Sequence, residues 1–434
     1  MGFRSRRMIP RAALVLALAL PLACGGGSST SNERRDGPGI AAQGPTSASE
    51  KSSPERREVV SKDYLDDAQC PALEVVGDEP AVLPSGVSSP LRGLSDATVR
   101  RDPRTGILWM AYSWPSIHVE PGGPRGTRVE THLARSDDDG ATWTFVSALW
   151  PATASVDPAT GATGFTDHEV PNLLPLADED GGPVRWVGAR LDLFAPAGGT
   201  LGKRPGSSFR IALMTAADPE SLGDATPVIL GSSGTDPGWD VATDLTALHP
   251  SLDRCTLWNE PALHFDGGTL FLALRCLPVG GSGPDVGDSS IEVFATRPEG
   301  APSAWTWDYS GRLAGHAEAE ELGGDGLTQL ELAEARDGTL LAIVTPDRWD
   351  VDLREFVHTG LQVLEVESLS QPRLARDESG DLRVRAQVTA SDLDQFGPGA
   401  GTYEPSAELG IILMRRVIGS GGLVASLHDT GIHP

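Results

Sequence analysis

The stretch Ala262-Leu263-His264-Phe265-Asp266-Gly267-Gly268-Thr269-Leu270-Phe271-Leu272-Ala273-Leu274 decides the fold. Two apolar runs flank an Asp-Gly-Gly turn, and this pattern predicts a β-hairpin, because Asp and Gly supply the backbone shapes that tight turns need. The same strand–turn–strand pattern recurs about 70 to 90 residues apart. Its turns are Asp102–Gly106, Asp178–Gly181, Asp266–Gly268 and Asp337–Gly338, with a fainter fifth at Arg376–Gly380 before Leu382–Val388.

A second hairpin is predicted between consecutive copies of the first. Thr131–Ser136 and Trp143–Leu149 are predicted strands joined by a turn, and Phe209–Thr215 and Ile291–Thr296 occupy the same place in later units. Four strands per unit, repeated with one turn chemistry, predict an all-β fold, a β-propeller of about five to six four-stranded blades. Two β-sandwiches are the competing prediction, and the long period and repeated turn placement argue against them.

The N-terminus has the pattern of an export signal. Arg4, Arg6 and Arg7 precede the apolar run Ala12–Leu22, which is shorter than the ~20 residues of a membrane-spanning helix and suits a signal peptide. Leu20-Pro21-Leu22-Ala23-Cys24 resembles a lipobox, the site at which bacterial lipoproteins are lipidated and cleaved before the cysteine. An ordinary signal peptide cleaved near Ala23, with Cys24 incidental, is the alternative.

These features divide the chain into three expected parts. Residues 1–23 are a lipoprotein-type signal peptide, 24–62 a disordered tether that starts at the lipidated Cys24, and 63–434 the β-propeller domain. The tether is rich in Gly, Ser, Pro, Arg and Glu, and such a segment buries too little apolar surface to offset its ordering entropy. We therefore expect an exported protein, lipid-anchored to the bacterial cell envelope, at the outer membrane.

The net charge and the cysteines limit which binding partners, disulfides, metals and cofactors are expected. The chain has 35 basic and 60 acidic residues, a net charge of −25, which argues against nucleic acid because phosphate binding needs a basic face. Cys255 and Cys276 flank one strand-rich unit and are the expected disulfide, which leaves Cys70 without an assigned partner. No Cys-x-x-Cys pair and no His-Cys cluster is present, so neither a metal nor a cofactor is predicted.

One segment fits a known motif. Ser136-Asp137-Asp138-Asp139-Gly140-Ala141-Thr142-Trp143 resembles the Asp box of the sialidase superfamily, the BNR-repeat β-propellers. The Asp side chain of such a turn can accept backbone N–H bonds, and the glycine supplies a backbone shape that other residues resist. The structural residues of the box would be Ser136, Asp138, Gly140, Thr142 and Trp143. Because Asp boxes lie on the outer rim of the propeller, the resemblance implies a fold more than an activity.

The sialidase resemblance also implies substrate-binding arginines. Sialidases hold a substrate carboxylate with three arginines, and Arg92 in Arg92-Gly93-Leu94 lies in about the right region to be one of them. Trp114 and Trp258 are candidates for a sugar platform, since aromatic faces stack on sugar rings. The alternative for both tryptophans is a place in the hydrophobic core.

A second, weaker resemblance is to the five-bladed arabinanase and xylosidase propellers. That family places an Asp base, a second Asp and a Glu acid on the innermost strands of its first three blades. By this resemblance Asp96 is the candidate base, Asp167 the second Asp and Glu260 the acid. Inverting hydrolysis needs two carboxyl groups ~6.5–9.5 Å apart, and a third can keep the acid protonated.

Two classes of function remain open from the sequence. The first is a surface glycoside hydrolase, sialidase-like or arabinanase/xylosidase-like, that acts on an extracellular glycan or glycoconjugate at the axial pocket. The second is a non-catalytic binding or scaffold propeller at the cell surface. The first predicts that Asp96, Asp167 and Glu260 meet at one mouth of the central channel.

Overall fold

Short strands account for most of the secondary structure in a computed structural model of the chain. The structure describes residues 59–63, 70–119, 125–157, 161–177, 184–196, 209–233, 240–280, 283–350, 355–389, 398–419 and 422–434. The expected signal peptide, Cys24 and most of the expected tether lie outside these residues. Within the described ranges there is no helix both long and apolar enough to cross a membrane.

The described strands form five blades, numbered I to V along the chain, each with four main strands from the axis outward. Blade I contains Ser95–Arg101, Leu108–Val119, Arg125–Ser136 and Trp143–Trp150, and blade II contains Thr163–Leu176, Arg185–Pro196, Phe209–Ala216 and Val228–Gly231. Blade III contains Leu257–Asp266, Thr269–Leu277, Ser290–Thr296 and Asp308–Ala314. Blade IV contains Gly326–Glu334, Leu340–Asp350, Leu361–Ser368 and Val384–Thr389, and blade V contains Pro398–Thr402, Ile412–Gly419, Gly422–Asp429 and Leu91–Gly93.

Smaller elements extend these blades. Additional strands are Val75–Val76 in blade I, Thr153–Val156 and Thr243–Asp244 in blade II, and Val60–Asp63, Glu355–His358 and Arg373–Leu374 in blade IV, with a separate hairpin of Val279–Gly280 and Gly283–Pro284. The described helices are the α-helix His316–Glu321 and the 3₁₀ turns Glu220–Asp224, Thr246–Leu248, Pro250–Leu252, Val286–Asp288 and Pro302–Ala304. The expected all-β propeller is confirmed, with five blades among the described residues.

The N-terminal part of the domain closes the ring. Leu91–Gly93 runs parallel to Gly422–Asp429 and is the outermost strand of blade V, directly before the chain enters blade I. Gly93 has φ +111°, and a Cβ there would lie 1.9 Å from the Ala425 carbonyl oxygen. Only glycine fits this close backbone approach, so Gly93 is needed for the closure.

Five apolar clusters hold consecutive blades together, and they lie at the five seams between blades. Each joins the facing sheets of one pair, and the cluster between blades V and I includes Val99, Met110, Trp143, Ile412 and Met414. The other four clusters join blades I and II, II and III, III and IV, and IV and V. Burial of apolar surface therefore stabilises the ring seam by seam.

Two expectations about the chain's organisation are wrong. The fainter fifth repeat is not a fifth blade, because the turn Arg376–Gly380 precedes the fourth strand of blade IV. The tether was expected to end at residue 62, but Val60–Asp63 pairs in parallel with Val384–Thr389 of blade IV. The second error arises because the local hydrophobic pattern gives no information about such long-range pairing. The first arises because an Asp/Gly turn alone does not distinguish the first hairpin of a blade from a later one.

Candidate active site

The innermost strand of each blade has a bulge at the same place. At these bulges the pairing with the second strand shifts register, and one non-glycine residue has a φ between +48° and +54°. The five equivalent residues are Asp96, Val170, Glu260, Gln329 and Ala400. Positive φ is uncommon for residues other than glycine and strained for a β-branched one. Because the bulge recurs in every blade, it belongs to the architecture, and the residue type at each bulge supplies the chemistry.

Hydrogen bonds between neighbouring blades fix these bulges. In the described residues, every seam has one such bond at or beside the innermost strand, and together the bonds form a closed ring. They are Val170 N to Ser113 Oγ (2.9 Å), Leu263 N to Asn172 Oδ1 (3.2 Å), Arg275 Nη1 to Thr328 Oγ1 (3.1 Å), Ala400 N to Thr345 Oγ1 (2.9 Å) and Val99 N to Thr402 Oγ1 (3.1 Å). Each blade therefore helps to position the axial residues of the next.

The five bulge residues line one axial pocket with about 280 Å³ of empty space. Asp96 from blade I and Glu260 from blade III contribute carboxyl groups, and Gln329 from blade IV contributes an amide. Asn172 and Glu331 also line the pocket, two residues after the bulges of blades II and IV. The structure therefore brings two of the three candidate catalytic carboxylates, Asp96 and Glu260, to the same pocket.

The two carboxyl groups have different surroundings. Asp96 is half-buried, and its Oδ1 accepts a hydrogen bond from Gln329 Nε2 at 3.0 Å. Glu260 is 5% exposed, and its Oε1 accepts a bond from Asn259 Nδ2 at 3.3 Å. Burial lowers the pKa of the Arg275 guanidinium, while the charges of Asp347 and Glu260 oppose that shift. Arg275 is therefore a cation close enough to influence Glu260.

Asp167, the third candidate, does not lie at this pocket. It stands three residues before Val170 and is 0% exposed, at the seam between blades I and II. Burial, reinforced by the charge of Glu169, raises the pKa of Asp167 well above its ordinary value, and Arg128 opposes the shift. The expectation that Asp167 joins Asp96 and Glu260 in the pocket is wrong, because Val170 occupies the equivalent position of blade II.

A buried polar network forms the floor of the pocket. Glu331 is 3% exposed; one carboxylate oxygen pairs with Arg100, and the other accepts a bond from Asn172 Nδ2 at 2.7 Å. The Asn172 Oδ1 in turn accepts the Leu263 N–H, three residues after Glu260. Burial raises the pKa of Glu331 even though Arg100 opposes the shift. The floor thus links the innermost strands of blades I, II, III and IV.

A histidine with two charged neighbours lies beside Gln329. The Nδ1 of His358 bonds to Asp347 Oδ1 at 2.5 Å, and its Nε2 contacts the Arg416 guanidinium. Because an arginine can only donate, His358 accepts at Nε2 and donates at Nδ1, the neutral tautomer. Burial and the Arg416 charge lower the pKa of His358, while Asp347 and Asp96 oppose them.

The three candidate substrate-binding residues are placed elsewhere. Trp258 is 1% exposed, packs in the seam between blades II and III and donates to Ser232 Oγ, so it offers no face to a sugar. Arg92 lies on the outermost strand of blade V and donates to the Ser89 carbonyl oxygen. Trp114 is half-buried and stacks on His132 with ring centroids 4.8 Å apart. The described residues that line the pocket include no arginine, unlike the set that the sialidase resemblance implies.

The turn that resembles an Asp box is held by hydrogen bonds within itself. Between the third and fourth strands of blade I, Asp138 accepts bonds from Thr142 N and Oγ1 (2.9 and 2.7 Å), and Ser136 Oγ accepts from Gly140 N (2.8 Å). Trp143 at the end of this turn is buried in the seam between blades V and I.

Cys255 and Cys276 form a disulfide in blade III, and Cys70 is buried. Among the described residues, no group of His, Cys, Asp and Glu side chains is placed to hold a metal ion.

Asp96 and Glu260 are the only lining residues of the pocket that the sequence predicted; the bulge residues Val170, Gln329 and Ala400 and the floor residues Asn172 and Glu331 were not. One signal could have located the blade II position. Val170-Pro171 and Glu260-Pro261 share a proline after the bulge residue, and both prolines line the pocket. Aligning the blades on that proline places Val170, and not Asp167, opposite Glu260.

No family model matches the chain, and no curated protein sequence matches it. Several solved structures are similar in fold. An arabinanase from Bacillus subtilis is 13% identical, with 78% of this chain and 96% of that chain covered and a TM-score of 0.41. An α-L-arabinanase from Cellvibrio cellulosa, solved with arabinohexaose, is 12% identical, with coverages of 78% and 91% and a TM-score of 0.39. A protein of unknown function from Dyadobacter fermentans is 12% identical, with coverages of 83% and 99% and a TM-score of 0.38. At these identities no activity follows from the likeness.

Proposed function

We propose that the protein is a glycoside hydrolase that cleaves an extracellular glycan in its axial pocket, with Asp96 and Glu260 as the carboxyl pair. The observation that carries this proposal is the convergence of these two side chains, from blades I and III, on one pocket. Paired carboxyl groups on two sides of a glycosidic bond are what its hydrolysis requires.

The two residues have different proposed roles. Asp96 takes a proton from the attacking water, and Glu260 gives its proton to the leaving glycosidic oxygen. The hydrogen bond from the Gln329 amide to Oδ1 holds the Asp96 carboxylate in place, which a base needs. Blades I and III are separated by blade II in the ring, so the two carboxyl groups approach the sugar from different sides. This arrangement suits inversion at the anomeric carbon.

A second candidate function is a binding propeller without catalysis. The observation that favours it is that Val170 and Ala400 put apolar side chains at two of the five axial positions. The blade II position is where the arabinanase resemblance implies a carboxylate. A pocket with this mixture of apolar and amide groups could hold a sugar ring without cleaving it.

Sugar release distinguishes the two candidates. We expect wild-type protein to release sugar from at least one member of a panel of arabinan, aryl arabinofuranosides, aryl xylosides and sialosides. Glu260→Gln and Asp96→Asn should each lower the rate by at least ~100-fold, the contribution of a general acid or base. Glu334→Gln, which changes an exposed glutamate at the outer end of a blade IV strand, is the matched control and should retain activity.

Two results would overturn the hydrolase proposal. One is unchanged turnover in Glu260→Gln. The other is binding of a panel glycan, measured by calorimetry, with no release of sugar by the wild type, which supports the binding propeller. For an active enzyme, the anomeric configuration of the first product, read by NMR, tests inversion directly.

We also propose that the chain is exported and lipid-anchored through Cys24. Support comes from the sequence: the apolar run, the lipobox-like Leu20–Cys24 and the polar segment that follows. Expression in a bacterial host with an alkyne-labelled fatty acid should label wild-type protein and not Cys24→Ser. Labelling of the variant, or wild-type protein that stays in the cytoplasm, would contradict the proposal.

A further inference from the structure

Two side-chain contacts join the innermost strands of blades I and IV directly across the axis. Asp96 Oδ1 accepts from Gln329 Nε2 at 3.0 Å, and four residues further along the blade I strand Arg100 pairs with Glu331. Gln329 and Glu331 are two residues apart and both line the pocket. Blades I and IV are not neighbours in the ring, so these contacts are not part of the ordinary packing between adjacent blades.

The amide oxygen of Gln329, the atom that does not face Asp96, lies in a confined space. This atom, Oε1, is buried and accepts no hydrogen bond from the part of the chain that the structure describes. It faces Gly399, where an added Cβ would lie 3.0 Å from Oε1 and 2.9 Å from His358 Cδ2. Because Gly399 has no side chain, the Gln329 amide can occupy the space beside it, and His358 can lie close to Gln329.

The second contact holds Gln329 in register with Asp96. Glu331 is tied to Arg100 in the Asp96 strand and, through Asn172, to blade II. Gln329 and Glu331 share one strand, and Asp96 and Arg100 share the other, so the Arg100–Glu331 pair joins the same two strands that the Gln329–Asp96 contact joins. Two contacts, and not one, therefore set the position of the amide relative to the Asp96 carboxylate.

We infer that Gln329 is a positioning residue for Asp96: its amide holds Oδ1, fixes the orientation of the carboxylate and leaves Oδ2 to receive a proton from water. This inference rests on the proposed hydrolase function, which it deepens. The other charged or titratable groups that face this site are Glu260, Arg100, Glu331 and His358.

The kinetic test uses Gln329→Met, which keeps side-chain length and removes the amide. We expect kcat to fall about 10- to 100-fold, the value of a hydrogen bond to a charged group, with KM within about twofold. Gln362→Met, which changes a buried glutamine in the third strand of the same blade, is the control and should change neither.

A second variant guards against a folding defect. Gln329→Asn keeps an amide and suits a positive φ, but its side chain is one methylene shorter and does not reach Asp96. If Gln329→Met unfolds and Gln329→Asn folds, the same loss in kcat, with KM again nearly unchanged, is expected in Gln329→Asn. A folded Gln329 variant with wild-type kcat would overturn the inference.

A measurement without turnover separates this inference from the proposed function. In a crystal structure of Gln329→Met, the Asp96 carboxylate should leave the position in which its Oδ1 meets residue 329 in wild type. If no panel glycan is cleaved but this displacement is seen, the hydrolase proposal fails while the pairing of Gln329 with Asp96 stands; an Asp96 side chain in the same position in both proteins overturns the pairing itself.

Discussion

Val170 occupies in blade II the position that Glu260 occupies in blade III. Both stand at the bulge of an innermost strand with φ near +50°, and each is followed by a proline that lines the pocket. Blade II therefore contributes a hydrophobic group where the arabinanase and xylosidase resemblance implies a carboxylate. The nearby acid, Asp167, is buried at the seam and cannot take its place.

Val170→Asp should restore a third carboxylate to the pocket. Aspartate is tolerated at φ +51° better than valine, so the backbone should accept it. A negative charge near Glu260 favours its protonated form, and we expect the alkaline limb of the kcat profile to move up by about one pH unit. The pH–rate profile is the measurement, with Val170→Asn as the control of equal shape. Identical profiles for the Asp and Asn variants would show that no charge reaches Glu260.

Replacing one partner of the buried Arg100–Glu331 pair should lower the free energy of unfolding much more than replacing both partners. Glu331→Gln leaves Arg100 buried without its counter-charge, and we expect a loss of about 3–5 kcal/mol in the free energy of unfolding. The double variant Arg100→Met/Glu331→Met should lose much less, because neither charge is then desolvated. Urea unfolding measures both. Glu367→Gln, which breaks an exposed pair with Arg373, is the control and should cost under about 1 kcal/mol; equal losses in all three would contradict this account.

Local chemistry made four of the five blades predictable from the sequence. The Asp–Gly turns after each innermost strand and the alternating apolar runs predicted blades I to IV. Blade V was missed because its innermost strand, Pro398-Gly399-Ala400-Gly401-Thr402, has little apolar character and no such turn follows it. Its outermost strand, Leu91–Gly93, comes from the other end of the domain. A pairing between segments so far apart in the sequence cannot be predicted from the local pattern of residues.

The site was predictable in part for a related reason. Asp96 and Glu260 were found because carboxylates stand near the start of their strands, where a resemblance to a known family assigns roles. Asp167 was chosen because it also stands near a strand start, but the strand of blade II begins at Thr163, seven residues before its bulge. Gln329 and Glu331 were not predicted because the resemblance assigns roles only in the first three blades, and their importance comes from contacts across the axis.

The Cys255–Cys276 disulfide should contribute substantially to the stability of blade III. It links residues 21 apart, the end of a loop and the second strand of the blade. Removal of a disulfide that closes a loop of this size costs about 3 kcal/mol through the freedom gained by the unfolded chain. Urea unfolding of Cys255→Ala/Cys276→Ala against wild type measures this loss. A reducing agent should destabilise wild type and leave the double variant unchanged, and a stability loss of equal size in both would point to another target of reduction.

His264 should make the propeller less stable in acid. It is 8% exposed in the innermost strand of blade III, and burial lowers its pKa to about 4, with the Arg100 charge acting in the same direction and Asp266 opposing. Its ordinary value is 6.5, so between about pH 6.5 and pH 4 the unfolded chain binds a proton that the folded chain does not. Stability is therefore lost as pH falls through this window, by up to about 3 kcal/mol from this group.

Comparing urea unfolding of wild type and His264→Gln at pH 7 and pH 4.5 isolates the effect. The stability advantage of wild type over the variant should shrink by 2 to 3 kcal/mol at about pH 4.5. A pH-independent difference for His264→Gln would mean that this histidine is not held neutral by the fold.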